Sequence, residues 1–253
     1  MTSQPHPPDA PARPAGPALY REYPAVRGLQ SLVSCLWENA AVRVRPQTVI
    51  PDGCVDLIWL GDHGLVVAGA DTGPRQSGPT PGAVCGIRLR PGAAGVILGI
   101  PAAEIRDQLV PVEHVWHRSG RALAETMAEA DTERRLAILT EAVLLRHGPP
   151  DPVVVAAARL LSAPDARVSA TAAELGLSAR QLNRRLLEAI GYGPKTLARV
   201  ARLRRLIATT DPSLSLRALA AGYASQAHMN EEVRRLTGAT PRQFLKDAAL
   251  TAA

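Results

Sequence analysis

Between Tyr20 and Leu98 the apolar positions come in short runs set apart by glycine, proline and aspartate. The runs 31–37, 55–60, 65–70 and 84–89 have strand length. Pro51-Asp52-Gly53, Gly61-Asp62, Asp71-Thr72-Gly73 and Pro91-Gly92 supply the turn signals. The period then lengthens. Residues 101–109 predict a helix with Pro101 at its first position. Residues 119–130 and 132–147 predict two more, the second with Leu136, Leu139 and Val143 on one face. His147-Gly148-Pro149-Pro150-Asp151-Pro152 stops the helix and forms a stiff linker. Everything after it reads as short helices, over 152–162, 169–175, 179–190, 194–209, 215–221, 226–237 and 241–249. Ser169 and Ser178 stand at cap positions, Pro194 at a helix start and Asp211-Pro212 at a helix end. The pattern predicts an α+β chain. An N-terminal β-rich domain with trailing helices covers 19–148, and an all-α domain covers 152–250. Residues 1–18 hold six prolines and almost no apolar side chains, so a disordered tail is expected there.

The helical part contains a repeat. Ala172-Ala173-Glu174-Leu175-Gly176-Leu177-Ser178 is followed by Leu182, Leu186 and Gly191-Tyr192-Gly193-Pro194. Ala218-Leu219-Ala220-Ala221-Gly222-Tyr223-Ala224-Ser225 is followed by Met229, Val233 and Gly238-Ala239-Thr240-Pro241. Each unit is a short alanine-rich helix, a glycine turn, a capping serine and a longer amphipathic helix. That is the helix-turn-helix pattern, with Gly176 and Gly222 free to take the positive φ the turn needs. A generic helical hairpin is the bland alternative, and duplication at matched spacing argues against it.

Charge supports the same reading. Residues 150–253 hold 15 of the 29 basic residues and 8 of the 23 acidic ones, a net of +7, whereas residues 1–149 come to −1. A basic block beside a near-neutral one fits a polyanion-binding domain joined to something else. Of the basic residues 27 are Arg, which fits a GC-rich coding bias, so an Arg carries weight only through its position. No apolar run approaches the roughly 18–20 residues of a spanning helix. The first 18 residues lack the apolar core of a signal peptide, so a cytoplasmic protein with no membrane partner is expected. Cys35, Cys54 and Cys85 are an odd number at wide spacing without a CxxC, which excludes a disulfide framework and a zinc-finger signature.

Gly222-Tyr223-Ala224-Ser225-Gln226-Ala227-His228-Met229, followed by 234–244 (RRLTGATPRQF), resembles the signature of the AraC/XylS transcription regulators. The first repeat, with Leu175-Gly176-Leu177-Ser178-Ala179-Arg180-Gln181-Leu182-Asn183-Arg184-Arg185, is similar to that family's other motif. The likeness covers about 152–247. Residues 49–58 and 86–94 make the front half similar to an uncharacterised domain often found before such DNA-binding regions. The resemblance implies two recognition helices set into successive major-groove segments by the helix 194–209, which is about 24 Å long. Double-stranded DNA is the implied partner, with RNA polymerase and a second copy of the chain as further partners, and activation is not distinguished from repression. Base-contacting positions fall on Arg180, Asn183 and Arg184 in the first helix, and on Gln226, Ala227, Asn230 and Glu231 in the second. Arg can be bidentate to guanine and Asn to adenine. The second helix departs from the family pattern. Glu231 stands where Arg is usual, Glu232 follows it, and Val233 replaces the usual Phe, so weaker binding or an unusual base is expected. The Arg residues at 199, 202, 204 and 205 cover more than one helix face, so not all can reach DNA.

All three Trp (37, 59 and 116) precede the linker. A pocket lined by Trp37, Trp59 and apolar strands would hold a small-molecule effector, although core positions explain each Trp equally simply. Arg88 and Arg90 alternate on one strand face and would receive an anionic ligand or merely solvate that face. Asp52 is most simply a turn residue. Cys54 follows that turn and, if exposed, would serve as a redox or alkylation sensor. Neither a metal set around His114 and His117 nor a Cys–His catalytic pair has a supporting motif, so no cofactor or catalytic residue is expected. Two classes remain: a regulator whose front domain senses a small molecule or dimerises, and a thiol sensor or thiol-dependent enzyme fused to a DNA-binding domain.

Overall fold

The computed structural model describes residues 20–40, 47–78 and 82–246, so the tail expected over 1–18 lies outside the described residues. Strands β1 (Tyr20–Pro24), β2 (Val33–Asn39), β4 (Val55–Trp59), β5 (Leu65–Ala68), β7 (Val84–Leu89) and β8 (Leu109–Pro111) form one antiparallel sheet in the order β1-β2-β7-β4-β5-β8. β3 (Gln47–Val49) and β6 (Arg75–Ser77) form a separate two-stranded ribbon. Helix α1 (Ala94–Leu98) follows β7, and α2 (Val112–Ala128) and α3 (Thr132–Leu144) follow β8.

The period of two along each strand sorts the side chains between two faces. Leu57, Trp59, Val67, Ile87 and Leu89 face α2 and α3 in the main core. Cys35, Trp37, Ile58, Val66, Ala68 and Val84 gather on the opposite face. Register places Asp56 directly opposite Arg88, and Trp37 opposite Gly86. A Cβ at position 86 would come within 2.9 Å of the Trp37 ring, so the missing side chain is what seats the indole.

The helix expected over 101–109 is instead a 3-10 turn, Ala102–Ile105, followed by β8. Pro101 and Arg106 both have extended ψ, and Asp107 has φ +58, which ends any helical run. Asp107 is held there by the backbone N–H of Thr72, which donates to Oδ1 at 2.6 Å. α2 starts well before residue 119 because it joins a first turn to a second segment across a kink at His117, where φ is +50.

Beyond the linker the helices are α4 (Pro152–Leu161), α5 (Val168–Glu174), α6 (Ala179–Ile190), α7 (Pro194–Ala208), α8 (Leu214–Ala220), α9 (Gln226–Thr237) and α10 (Pro241–Lys246). Ser169 lies inside α5 rather than capping it, since the helix begins at Val168 behind Arg167. The proline-rich segment 147–152 separates α3 from α4, but the apolar core runs straight across it. The main cluster includes Ile97 and Ile105 of the front half together with Leu161, Leu182, Leu186 and Ile190. A second, smaller cluster joins Leu203, Leu206, Met229, Val233 and Phe244, and it takes in Ile50 from the front half.

Candidate nucleic-acid interface and effector cavity

α5 and α6 form the first helix-turn-helix unit, and Gly176 takes the left-handed conformation (φ +66) in its turn. Ser178 opens α6 with a complete capping box: the Gln181 N–H donates to Ser178 Oγ at 3.2 Å, and the Ser178 N–H donates to Gln181 Oε1 at 2.8 Å. Leu182, Leu186 and Ile190 are buried, which fixes the opposite face outward. Arg180, Asn183 and Arg184 are exposed on it, and among the described residues neither Arg forms an ion pair. Asn183 also lies over Gly193, where any Cβ would collide with its Oδ1. Arg185, the neighbour of Arg184, turns inward and pairs with Asp151 at 2.9 Å.

α8 and α9 form the second unit, with Gly222 at φ +87. Ser225 Oγ accepts from the His228 N–H at 3.1 Å. Gln226, Ala227 and Glu231 are exposed and Asn230 is half-buried. Gln226 Oε1 also accepts from Ser215 Oγ at 2.6 Å, so this side chain is partly engaged within the unit.

Glu232 does not face outward beside Glu231. It is 8% exposed and points back onto α7. Arg202 Nη2 lies 2.8 Å from Oε2, and Arg199 Nε lies 3.1 Å from Oε1. His228 Nε2 approaches Oε1 at 3.3 Å. Because the Ala224 N–H donates to His228 Nδ1, the ring proton sits on Nε2 and is directed at the carboxylate. Arg205 is also internal, donating to the Ala221 carbonyl at 2.8 Å and to the Ser162 carbonyl. Of the four Arg residues of α7, Arg204 alone is exposed.

The front half holds a cavity of about 120 Å³ between the pocket face of the sheet and the β3–β6 ribbon. Trp37, Cys54 and Arg88 line it together. Trp59 does not, because it is three residues from Asp56 on β4 and so points to the other face, where the Arg135 guanidinium lies 4.7 Å from its ring centroid. Arg90 lies beyond the end of β7 and donates to the Gln30 carbonyl at 2.7 Å. Tyr20, Ile50, Asp71 and Arg75 also line the cavity, although the sequence pattern assigned none of them to a pocket. The lone carboxylate in the apolar run VDLIW was a legible signal for Asp56; its pairing with Arg88 needs the register.

Arg88 Nε lies 3.2 Å from Asp56 Oδ1 and 3.6 Å from Asp52 Oδ2. Trp37 Nε1 donates to Asp56 at 3.0 Å. Burial pushes the Asp56 carboxyl up, and the Arg88 charge opposes that shift. Asp52 keeps its turn role by accepting from the Cys54 N–H at 2.8 Å. The exposed thiol envisaged for Cys54 is not there: the residue is 8% exposed, and burial raises its pKa well above the usual thiol range. Cys35 and Cys85 are buried too, and desolvation pushes each up to about 11. A thiol that stays protonated is a poor nucleophile; Cys54 is a cavity wall residue, and Cys35 and Cys85 are packed as small apolar side chains in the core.

Segment 49–54 connects this cavity to the helical half. Ile50 lines the cavity and also belongs to the core cluster of the second unit. Tyr192, at the end of the first unit, is 2% exposed and sits against Gly53, where a Cβ would come within 2.8 Å of its Oη. That hydroxyl finds no hydrogen-bond partner among the described residues, a state that costs about 1–3 kcal/mol.

Residues 171–247 match the model of a helix-turn-helix domain family, and residues 21–111 match a domain of unknown function, DUF6597. The chain carries an AraC-type helix-turn-helix domain behind a DUF6597 domain. Over 85 residues the chain is similar, at 41% identity, to the probable bifunctional transcriptional activator/DNA repair enzyme AlkA of Mycobacterium tuberculosis, in two strains. The match covers 32% of this chain and spans 17% of the length of those relatives. Among solved structures, ToxT from Vibrio cholerae gives a TM-score of 0.44 at 12% identity, covering 88% of this chain and 100% of ToxT. ToxT bound to (E)-4-(8-methylnaphthalen-1-yl)but-3-enoic acid gives 0.44 at 11% identity, covering 90% of this chain and 98% of that one. Among the described residues no helix is long and apolar enough to cross a membrane, and no group of three or more metal-ligating side chains is present.

Proposed function

We propose that the chain is a sequence-specific transcription regulator, not an enzyme, that reads two successive major-groove segments of double-stranded DNA with α6 and α9. The observation that carries this is the pair of serine-capped second helices joined by α7, with Arg180 and Arg184 exposed on the outward face of α6 and, among the described residues, in no ion pair. In this reading Arg180, Asn183 and Arg184 make most of the base contacts, and Gln226, Ala227, Asn230 and Glu231 make the weaker set. The front domain is the sensor, its cavity the effector site. Segment 49–54 supports a route between them, since it contributes to the cavity wall and touches both helix-turn-helix units. A second copy of the chain and RNA polymerase complete the expected partners, and DNA as the target places the protein in the cytoplasm. The buried, protonated thiols disfavour the thiol-sensor reading.

The test is to map the DNA bound across the genome and then titrate a recovered site against the purified chain by fluorescence anisotropy. Specific binding with a steep salt dependence is expected. Binding indistinguishable from that to random duplex would overturn the proposal.

A further inference from the structure

The polar end of the cavity is unusually negative for a site that contains two arginines. Among the described residues three carboxylates, Asp52, Asp56 and Asp71, meet two guanidiniums, Arg75 and Arg88. Asp71 and Arg75 form their own pair, with Arg75 Nε 3.2 Å from Oδ1. Arg88 is shared between Asp52 and Asp56. One guanidinium cannot neutralise two carboxylates, so among the described residues one negative charge is left over on a partly desolvated floor.

That surplus changes what Arg88 can do. A lone arginine in an apolar pocket invites an anion. Here an incoming carboxylate or phosphate would have to displace Asp52 or Asp56 from Arg88 and would then sit beside the displaced charge. Arg75 is already paired with Asp71, and the indole N–H of Trp37 already serves Asp56. Apart from Ser77 the remaining walls are mostly apolar or aromatic: they include Ile58, Leu60 and Val84, with the Tyr20 ring 6.1 Å from that of Trp37. Carboxylates beside aromatic faces suit a cation that brings its own hydrogen-bond donors.

We propose that the cavity selects a compact cationic amphiphile: an apolar or aromatic body carrying one protonated amine or amidine. The cationic end lies beside Asp52 and Asp56, and the body lies against Trp37 and Ile58. The proposal rests on the effector reading of the cavity and names the class of molecule that reading leaves open. No bond is made or broken. Selection comes from charge and from the excluded anion, not from the fit of the apolar body alone.

The experiment titrates the full chain with 2-phenylethylamine, phenylacetate and phenylacetamide, which match in size and differ in charge, by calorimetry with tryptophan fluorescence as a second readout. The amine is expected to bind at least about tenfold more tightly than the amide or the acetate. Asp52→Asn keeps the turn acceptor and removes the surplus charge, and it should bring the amine down to the level of the amide. Arg90→Ala, outside the cavity, should leave all three affinities unchanged. If Asp52→Asn is unstable, Asp52→Ser makes the same comparison. Acetate binding as tight as the amine, or full amine affinity in the Asp52 variants, overturns the cationic class while leaving the cavity as a small-molecule site. Saturable binding by none of the three overturns the effector reading and the class with it.

Discussion

The two helix-turn-helix units share a serine cap, a left-handed glycine at the end of the second helix and a buried stripe at three- and four-residue spacing, but they are anchored in different ways. α6 leaves Arg180 and Arg184 exposed and buries its far end, Ile190 and the following Tyr192, in the core of the front domain. α9 gives a carboxylate to its own scaffold: Glu232 holds α7 through Arg199 and Arg202, and the helix belongs to a smaller, separate core. The difference teaches that charge counted along a chain is not charge presented at a surface. Much of the Arg-rich linker helix is neutralised or hydrogen-bonded inside the protein; the outward cations include Arg180 and Arg184 on α6, Arg204 on α7, and Arg234 and Arg235 at the far end of α9 with Arg242 beyond it.

The largest expected effect tests the internal clamp. Glu232→Ala leaves two half-buried guanidiniums facing an apolar gap, and a loss of about 3 kcal/mol in urea denaturation is expected. A loss below about 1 kcal/mol would mean the clamp is solvated and the units are more alike than the geometry suggests. Next comes the DNA face. Arg184→Ala should weaken specific binding by about tenfold or more, and Asn230→Ala by less than about threefold, in anisotropy titrations on the same site. Equal losses would remove the asymmetry.

Helix initiation gives a smaller contrast. Ser178→Ala should cost about 1 kcal/mol of stability and Ser225→Ala somewhat less, because only the first serine closes a reciprocal capping box. The smallest effect sharpens the comparison by repairing it. Glu231→Arg should strengthen DNA binding severalfold and steepen the slope of log affinity against log salt by about one. No change in that slope would place the exposed face of α9 away from phosphate.

The helices after residue 152 were legible almost to the residue because glycine, serine and proline punctuate them: Ser178, Gly191, Pro194, Ser225 and Gly238 all stand at observed helix ends. The sheet was only partly legible. β1 (YREYP) is largely exposed and β8 (LVP) is three residues long, so neither carries an apolar run. Trp37, Cys54 and Arg88 come together on one cavity, whereas Trp59 does not, and strand parity within VDLIW already separates it from Asp56. Glu232 offers the same lesson in a helix. It lies three residues after Met229 and four before Leu236, on the stripe that turns inward, so its spacing pointed to the core even though its charge suggested the surface. Tyr192 and Ile50 carried no local signal at all, because their roles depend on contacts between segments more than 100 residues apart.

The continuity of the main core across 147–152 bears on how the chain can be handled. The proline-rich stretch looks like a natural place to cut, and a DNA-binding fragment starting at residue 152 is the obvious design. Such a fragment would strip Ile190 and Tyr192 of their cover and expose the apolar face of α4, while the front half would lose the surface that seals Ile97 and Ile105. Fragment exchange at that point would therefore produce sticky halves, prone to self-association. The second unit, α8 to α10, has its own core, but it borrows Ile50 from the far end of the sequence.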